Sequence, residues 1–250
     1  MNAVFKTDKG KVRLHNEDNG GIFTNKEGQF LAVVADGMGG HRGGDVASEM
    51  TIHFLENEWA NTDKIETAED AEDWLRSKIV QVNQLIFEHS KQNSECEGMG
   101  TTVVAAICTN LFATLANIGD SRGYILNEAG FQQLTEDHSL VNELVRTGQI
   151  SREDAEHHPR KNVLLRALGT EETVAMDTKT IIFEEGDFLF LCSDGLSNKV
   201  NEEEIKGNLT QSGSLDEKAS NLVTLANQNG GEDNITLAIV EYSDVVVEGR

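Results

Sequence analysis

The chain has 250 residues, 38% of them apolar, and carries 43 acidic against 21 basic residues, for a formal charge of −22. The apolar share can fill a substantial core, and the length suits a single domain, which we expect to span residues 1–250. So large a negative charge would repel nucleic acid and an anionic membrane surface, so we expect no nucleic-acid partner and no membrane insertion.

Cysteine usage and the start of the chain indicate the cytoplasm. The cysteines are odd in number and have no CxxC spacing, which argues against a disulfide framework or a zinc site. Of Cys96, Cys108 and Cys192, the last two lie in apolar runs and are predicted core residues. The first residues lack the apolar stretch of a signal peptide, and no segment approaches about 18 consecutive apolar residues.

Apolar and β-branched runs predict strands, and helical spacing predicts the helices between them. In chain order the predicted elements are a strand at 29–35, helices at 45–59 and 71–89, strands at 101–108, 111–118 and 122–126, a helix at 138–146, strands at 180–183 and 187–192, helices at 202–209 and 215–228, and a strand at 235–242. Tight turns at 25–28 and 184–186 predict hairpins. Without regular βαβ alternation, this order predicts an α+β domain of layered antiparallel sheets with helices outside.

The first two helices have predicted buried faces. On the first helix this face is Val46, Met50, His53 and Phe54, and on the second it is Leu75, Ile79, Val82 and Ile86.

A glycine-rich loop follows the first predicted strand, in FLAVVADGMGGHRGG. Asp36 stands at the end of the strand and offers hard carboxylate oxygens, while the glycines let the backbone turn and a ligand approach. A nucleotide-binding fingerprint is excluded, because GxGxxG from Gly37 would need glycine in place of Arg42, and no GxxxxGK[ST] occurs. Taken alone, Asp-Gly at a strand end also fits an ordinary turn.

Three more aspartates border predicted strands. Asp194 directly follows the strand in FLFLCSDGL, Asp233 precedes the one in GGEDNITLAIV, and Asp120 lies between two strands in LANIGDSRGYIL. Unpaired buried carboxylates are costly, so several that converge on one rim would require cations. For Asp120 the alternative is a turn in which it pairs with Arg122.

A charged cluster near the N-terminus, RLHNED, contains Arg13, Glu17 and Asp18. Arginine suits bidentate recognition of phosphate, and two adjacent carboxylates could hold metal-bound water. The alternative is a solvated charge cluster without a function.

Eight segments resemble, in order, the metal-dependent protein serine/threonine phosphatase family of type 2C (PPM): RLHNED, ADGMGG, GMGTTVVAA, NIGDSRGY, LTEDHS, RALG, LCSDGL and GEDNIT. The resemblance covers essentially the whole chain, whose length and DGMGGH loop resemble the compact stand-alone bacterial members. It implies the family fold, a four-layer α-β-β-α sandwich of two antiparallel sheets flanked by helices. It also implies a variable flap at about 139–168 beside the catalytic cleft.

The resemblance implies a core metal site for two Mg²⁺ or Mn²⁺ ions. Asp36 would bridge the two ions, with the Gly37 carbonyl on one ion and Asp194 and Asp233 on the other.

Four further residues receive roles from the same resemblance. Glu17 and Asp18 would act through metal-bound waters. Asp120, with Asp194, matches the position of a third, weaker metal ion, and Arg13 matches the phosphate-binding arginine.

The implied function is hydrolysis of phosphoserine and phosphothreonine in proteins. Two closely spaced cations can lower the pKa of a bridging water to about 7, so this water would be the nucleophile. None of the cysteines has arginine six positions later, so the cysteine-phosphatase pattern is absent. Many eukaryotic relatives have a proton-donating histidine where this chain has Met38; we expect a metal-bound water to donate instead, with His41 as the alternative.

Three other functions are compatible with parts of the sequence. A catalytically weak phosphoprotein-binding regulatory module on the same fold is the first. An acidic cation-binding domain is less favoured because no DxDxDG loop is present. A metal-dependent nuclease is disfavoured by the net charge. The expected partners are phosphorylated proteins, a bacterial serine/threonine kinase and its substrates, and the expected state is a monomer.

Overall fold

Two antiparallel sheets lie face to face, and helices cover the outer face of each. The computed structural model describes residues 1–39 and 43–243. The first sheet has the order β1-β11-β10-β7-β8, formed by β1 (Asn2–Asp8), β7 (Arg122–Asn127), β8 (Gly130–Gln133), β10 (Phe188–Cys192) and β11 (Ile235–Glu241). The second has the order β2-β3-β5-β6-β9, with β4 beside β3, formed by β2 (Asp18–Thr24), β3 (Phe30–Met38), β4 (Gly100–Thr101), β5 (Val103–Cys108), β6 (Phe112–Ile118) and β9 (Asp177–Ile182).

The helices divide between the two outer faces and one peripheral segment. The second sheet is covered by α1 (Gly43–Ala60) and α2 (Ala68–Gln92), and the first by α5 (Asp194–Ser197), α6 (Glu202–Thr210) and α7 (Leu215–Gln228). The peripheral segment, 139–168, contains α3 (Leu140–Arg146) and α4 (Arg152–Glu156). A 3₁₀ turn at Ser94–Cys96 follows α2.

Alternation along the strands produces the layers, because successive side chains of a strand point to opposite faces. Val34 and Val104 of the second sheet belong to the core between the sheets, with Leu191 of the first sheet. Their chain neighbours Val33 and Ala105 instead belong to the core beneath α1 and α2. The predicted α+β architecture of layered antiparallel sheets is therefore confirmed.

Capping explains where the long helices start. The hydroxyl of Thr67 accepts a hydrogen bond from the amide of Asp70, whose carboxylate accepts one from the amide of Thr67, at the start of α2. Ser214 and Glu217 form the same reciprocal pair at the start of α7. Each pair satisfies amides that have no partner within the helix, so the helix begins at a defined residue.

Most predicted elements are confirmed, but three strands were not predicted: β1, β2 and β8. β2 reads DNGGIFT, and two adjacent glycines are unusual in a strand. A Cβ at Gly20 would lie 2.6 Å from the ring of Phe5, so the glycine leaves room for an aromatic side chain of the opposite sheet. The glycine is therefore explained by a contact with another strand, which the local sequence of β2 does not show.

Two local predictions were wrong. His53 is exposed, and the buried face of α1 is shifted to residues such as Ala47, Thr51 and Leu55. The turn at 184–186 does not form a hairpin, because β9 and β10 belong to different sheets. The buried face of α2 is as predicted, and Cys108 and Cys192 are core residues.

No helix in the described ranges is both long enough and apolar enough to cross a bilayer.

Candidate metal-binding active site

The β2–β3 register places two of the predicted carboxylates side by side. Asp18 and Asp36 are directly opposite each other in the antiparallel pair. The backbone of Asp36 is held by two threonines: its amide donates to Thr102 Oγ1 at 2.9 Å, and its carbonyl accepts from the hydroxyl of Thr101 at 2.9 Å. The side chain of Asp36 is therefore presented from a fixed strand end.

Gly37 continues this strand into a crowded space. Its amide donates to the carbonyl of Glu17 at 3.1 Å. A Cβ at Gly37 would overlap the backbone carbonyl of Gly44 at the start of α1 and lie 2.6 Å from the carbonyl oxygen of Glu17. Only glycine allows these three backbone segments to meet.

We expect Gly37→Ala to destabilise the protein by about 2–3 kcal/mol, because the added methyl group must displace backbone and not a mobile side chain. Gly207→Ala is the matched control: Gly207 lies within α6 with nothing near its Cβ position, so alanine there should stabilise the protein by about 0.5–1 kcal/mol. Urea unfolding of both variants measures the difference. A Gly37→Ala variant as stable as the wild type would contradict this packing.

Asp194 and Asp233 come from neighbouring strands of the first sheet. Asp194 follows β10 and begins α5, while Asp233 precedes β11. A Cβ at Gly195 would overlap the carbonyl of Asn234, so the turn after Asp194 lies directly against the turn that carries Asp233. The two aspartates thus meet at one end of the sheet, as predicted.

Asp120 occupies the loop between β6 and β7 and does not pair with Arg122. Arg122 instead forms a bidentate ion pair with Asp137, with the shortest N–O distance 2.6 Å. The alternative interpretation of Asp120 as half of a local ion pair is therefore wrong.

The aspartates repel one another. Burial, with the charges of Asp194 and Asp233, raises the pKa of Asp18 to about 7, although the hydrogen bond from Ser193 lowers it in part. Burial and the charge of Asp194 raise the pKa of Asp120 to about 7. Burial and the nearby carboxylates also raise the pKa of Asp36, as burial and Asp233 raise that of Asp194. Each carboxylate is thus unstable as an anion unless a positive charge joins it.

Arg13 supplies one such charge. Its guanidinium donates to Asp233 Oδ2 at 2.7 Å, yet its side chain remains 47% exposed. The loop that carries Arg13 is anchored by the buried Asn234, which donates to the carbonyls of Lys9 and His15 and accepts from the amide of Glu17 at 2.8 Å. The sequence predicted Arg13 and Glu17 but not this anchor.

The donor set fits divalent cations. In the described ranges, no three Asp, Glu, His or Cys side chains have the spacing of ligands around a single ion. The carboxylates nevertheless face one another closely enough to raise each other's pKa, and carboxylate oxygens are the ligands that Mg²⁺ and Mn²⁺ prefer. Asp18 Oδ1 is buried without a hydrogen-bond partner, whereas its Oδ2 accepts from Ser193 at 2.7 Å. Such an orphaned oxygen suits a cation or its water shell.

An open cleft of about 1190 Å³ adjoins the carboxylates. Asp120 and Asp194 line this cleft, together with residues of segment 139–168 and residues between 197 and 204. Met38 lies at the end of β3. The predicted alternative proton donor His41 falls outside the described residues.

Sequence reasoning missed the residues that hold the site together. Thr102, Ser193 and Asn234 are all buried and hydrogen-bonded to the site. Each stands within one of the quoted segments, but as small polar residues they carry no chemical signal of their own. Their buried side chains beside carboxylates became visible only in three dimensions.

Sequence comparison finds close relatives over the full length. The family model described as protein phosphatase 2C matches residues 9–229. The chain is 54% identical over 250 residues to the serine/threonine phosphatase stp of Listeria welshimeri, covering 100% of this chain and 99% of that protein. It is 41% identical over 245 residues to the protein phosphatase PhpP of Streptococcus pneumoniae, covering 98% of each.

Comparison with solved structures finds the same class of protein. The serine/threonine phosphatase Stp1 of Staphylococcus aureus aligns with a TM-score of 0.92 at 39% identity, covering 96% of this chain and 94% of that one. The catalytic domain of the serine threonine protein phosphatase PstP, in complex with two manganese ions, aligns with a TM-score of 0.84 at 32% identity, covering 97% and 98%. From its sequence, its layered fold and its carboxylate site, the chain belongs to the protein phosphatase 2C family.

Proposed function

We propose that the protein is a metal-dependent phosphatase that hydrolyses phosphoserine and phosphothreonine in proteins. The observation that carries the proposal is the convergence of Asp18, Asp36, Asp120, Asp194 and Asp233 at one end of the two sheets, with each of the first four held at a raised pKa. An exposed arginine and an open cleft adjoin them. The names of the full-length relatives support the same activity.

Two divalent cations, Mg²⁺ or Mn²⁺, would be held by Asp36, the Gly37 carbonyl, Asp194 and Asp233. The PstP neighbour with two manganese ions supports this number. When bound, such cations lower the pKa of a water molecule and offset the charge of a phosphoryl group, which makes water the nucleophile.

The outer residues would complete the cation site. Glu17 is half-buried and Asp18 buried beside Asp36, so both are placed to accept hydrogen bonds from water around the core ions. Asp120, with Asp194, would hold a third and weaker cation.

Arg13 would bind the phosphate of the substrate. Its guanidinium has the planar fork that matches two phosphate oxygens, and its exposure leaves it accessible to a protein substrate. Because Asn234 anchors its loop, Arg13 can exchange Asp233 for phosphate without a rearrangement of the backbone. Orienting the phosphate in this way favours in-line attack.

Protonation of the leaving alcohol requires a donor in the cleft. Met38 has no exchangeable proton, so we assign this step to a solvent molecule in the site.

The biological setting follows from the family. Residues 1–250 would form one catalytic domain, with segment 139–168 as a flap beside the cleft. The substrates would be cytoplasmic phosphoproteins, including a bacterial serine/threonine kinase and its targets, and the protein would act as a monomer.

Turnover of a phosphothreonine peptide tests the activity. We expect the metal-free protein to release no phosphate, and added Mn²⁺ or Mg²⁺ to restore release with many turnovers per protein molecule. Comparing the two metals at equal concentrations identifies the better activator.

The alternative function, a phosphoprotein-binding module that is catalytically weak, makes a different prediction. It would retain the phosphopeptide with Mn²⁺ present and release less than one phosphate per protein molecule. In the phosphatase, Arg13→Ala should both raise KM and lower kcat, because the arginine would bind the phosphate and also orient it for attack.

A further inference from the structure

We propose that Val12 and Leu14 determine substrate specificity, by contacting an apolar side chain close to the phosphorylated residue of the substrate while Arg13 between them binds the phosphate. Both lie in residues 9–15, here called the basic loop, which stand between β1 and β2. The inference rests on the proposed phosphatase function and on Arg13 as its phosphate-binding residue, and it adds the kind of substrate sequence that the site prefers.

Two apolar side chains flank Arg13 and are open to solvent. Val12 is 63% exposed and Leu14 is 83% exposed, the highest value among the large apolar residues that the structure describes. A single exposed apolar residue is common on protein surfaces and needs no explanation. Here two of them are the chain neighbours of the residue that would hold the phosphate, so a bound substrate must pass beside them.

The backbone of the basic loop is fixed against the active site. The carbonyl of Gly231 accepts from the amides of Lys11 at 2.7 Å and Val12 at 3.2 Å. A Cβ at Gly10, where φ is +77°, would overlap the carbonyl oxygen of Asp233, so the loop packs directly on the turn that carries this aspartate. A surface that is already ordered loses little conformational entropy when a ligand binds, which favours recognition by this loop.

The charge of the basic loop is opposite to that of the protein as a whole. Between Asp8 and Glu17 the chain has no acidic residue, whereas Lys9, Lys11 and Arg13 are all exposed. The net charge of −22 repels a phosphorylated segment, because each phosphate group itself carries about two negative charges. The basic loop therefore offers such a segment a favourable approach to the carboxylate site.

A phosphate bound at Arg13 would bring the neighbouring residues of the substrate to the basic loop. Each residue of an extended peptide spans about 3.3 Å, so the two residues on either side of the phosphorylated one stay close to Val12 and Leu14. An apolar side chain there would remove apolar surface from water, whereas a polar one would lose hydration without a partner. This contact is the same before and during the reaction, so it should lower KM and leave kcat nearly unchanged.

Phosphothreonine peptides that differ in a single residue test the preference. Leucine and glutamine are compared at each of the two positions before and the two positions after the phosphothreonine, with Mn²⁺ present. For at least one position, the wild type should have a kcat/KM about tenfold higher for the leucine peptide, mainly through KM. Leucine placed six residues from the phosphothreonine is the peptide control and should give no preference.

Variants of the basic loop show whether it causes the preference. Leu14→Gln keeps the length of the side chain but removes its apolar end, so the preference should fall to about twofold or less. Val12→Thr exchanges one methyl group for a hydroxyl and should weaken the preference by a smaller factor. Leu111→Gln is the matched control and should keep the full preference, because Leu111 is 72% exposed but lies between β5 and β6, at the opposite end of the second sheet from Asp36.

The outcomes separate this inference from the proposed function. If the wild type with Mn²⁺ hydrolyses neither the peptides nor an aryl phosphate, the proposed function is wrong and the inference falls with it. If it hydrolyses all the peptides equally well, or if Leu14→Gln keeps the wild-type preference, only the inference is wrong. A preference that Leu111→Gln loses to the same extent as Leu14→Gln would also overturn it, because the effect would not then come from the basic loop.

Discussion

Asp36→Asn is expected to lower kcat/KM for a phosphopeptide by about 10³-fold or more, which corresponds to about 4 kcal/mol of transition-state stabilisation. Asparagine has the shape of aspartate but lacks the negative charge with which Asp36 would bridge two cations. The variant should retain the fold, because the backbone of Asp36, and not its side chain, bonds to Thr101 and Thr102. Steady-state kinetics over a range of Mn²⁺ concentrations gives the comparison.

Although Asp36→Asn should lower kcat/KM, it should make the metal-free protein more stable. Without metal, the loss of one of several mutually repelling carboxylates should raise the thermal midpoint at pH 8, whereas the midpoint should no longer rise with Mn²⁺. Asp63→Asn is the control, since Asp63 is 88% exposed, does not line the cleft and forms an ion pair with Lys26. An Asp36→Asn protein with more than a tenth of wild-type kcat/KM would contradict the proposed core site.

The metal-free protein should become less stable as the pH rises from about 4 to 8. Asp18 and Asp120 have an ordinary pKa of 3.8 and a folded pKa of about 7, so the folded state binds more protons than the unfolded chain between these values. Their contribution to stability is complete below the unfolded pKa and is lost as the pH passes through the folded pKa. The total loss should be a few kcal/mol, or about 5–10 °C in the thermal midpoint.

Thermal unfolding after chelation, followed at pH 5.5 and pH 8, measures this effect. Saturating Mn²⁺ should remove most of the difference, since cations replace protons as the partners of the carboxylates. A metal-free midpoint that is higher at pH 8 than at pH 5.5 would show that the carboxylates do not repel one another as their positions require.

The fold could be predicted where local pattern and tertiary role agree. β5 and β10 are buried on both faces and could be predicted from continuous apolar runs, and β6 from a mostly apolar one. β2 and β8 contain few apolar residues, and they form strands because neighbouring strands pair with them. Pairing partners cannot be identified from a local window, which also explains why the 184–186 turn was mistaken for a hairpin.

The residues of the site also divide into those that could be predicted from local sequence and those that could not. Its carboxylates were predicted from their positions at strand ends and from a family resemblance, and the structure brings them together. His138 was predicted as the first residue of a helix, but the helix begins at Leu140, and the ring is instead directed to Gly119 and Asp177. The role of a residue whose partners are distant in the chain cannot be predicted from local sequence.

The pairing of Asp18 with Asp36 makes the length of one connection critical. The β2–β3 connection is closed by Asn25, whose side-chain oxygen accepts from the amides of Glu27 and Gln29. Inserting a single residue there would slide β2 by one position and turn Asp18 to the opposite face of the sheet. An odd change in the length of this connection would therefore remove a carboxylate from the site without altering a single site residue.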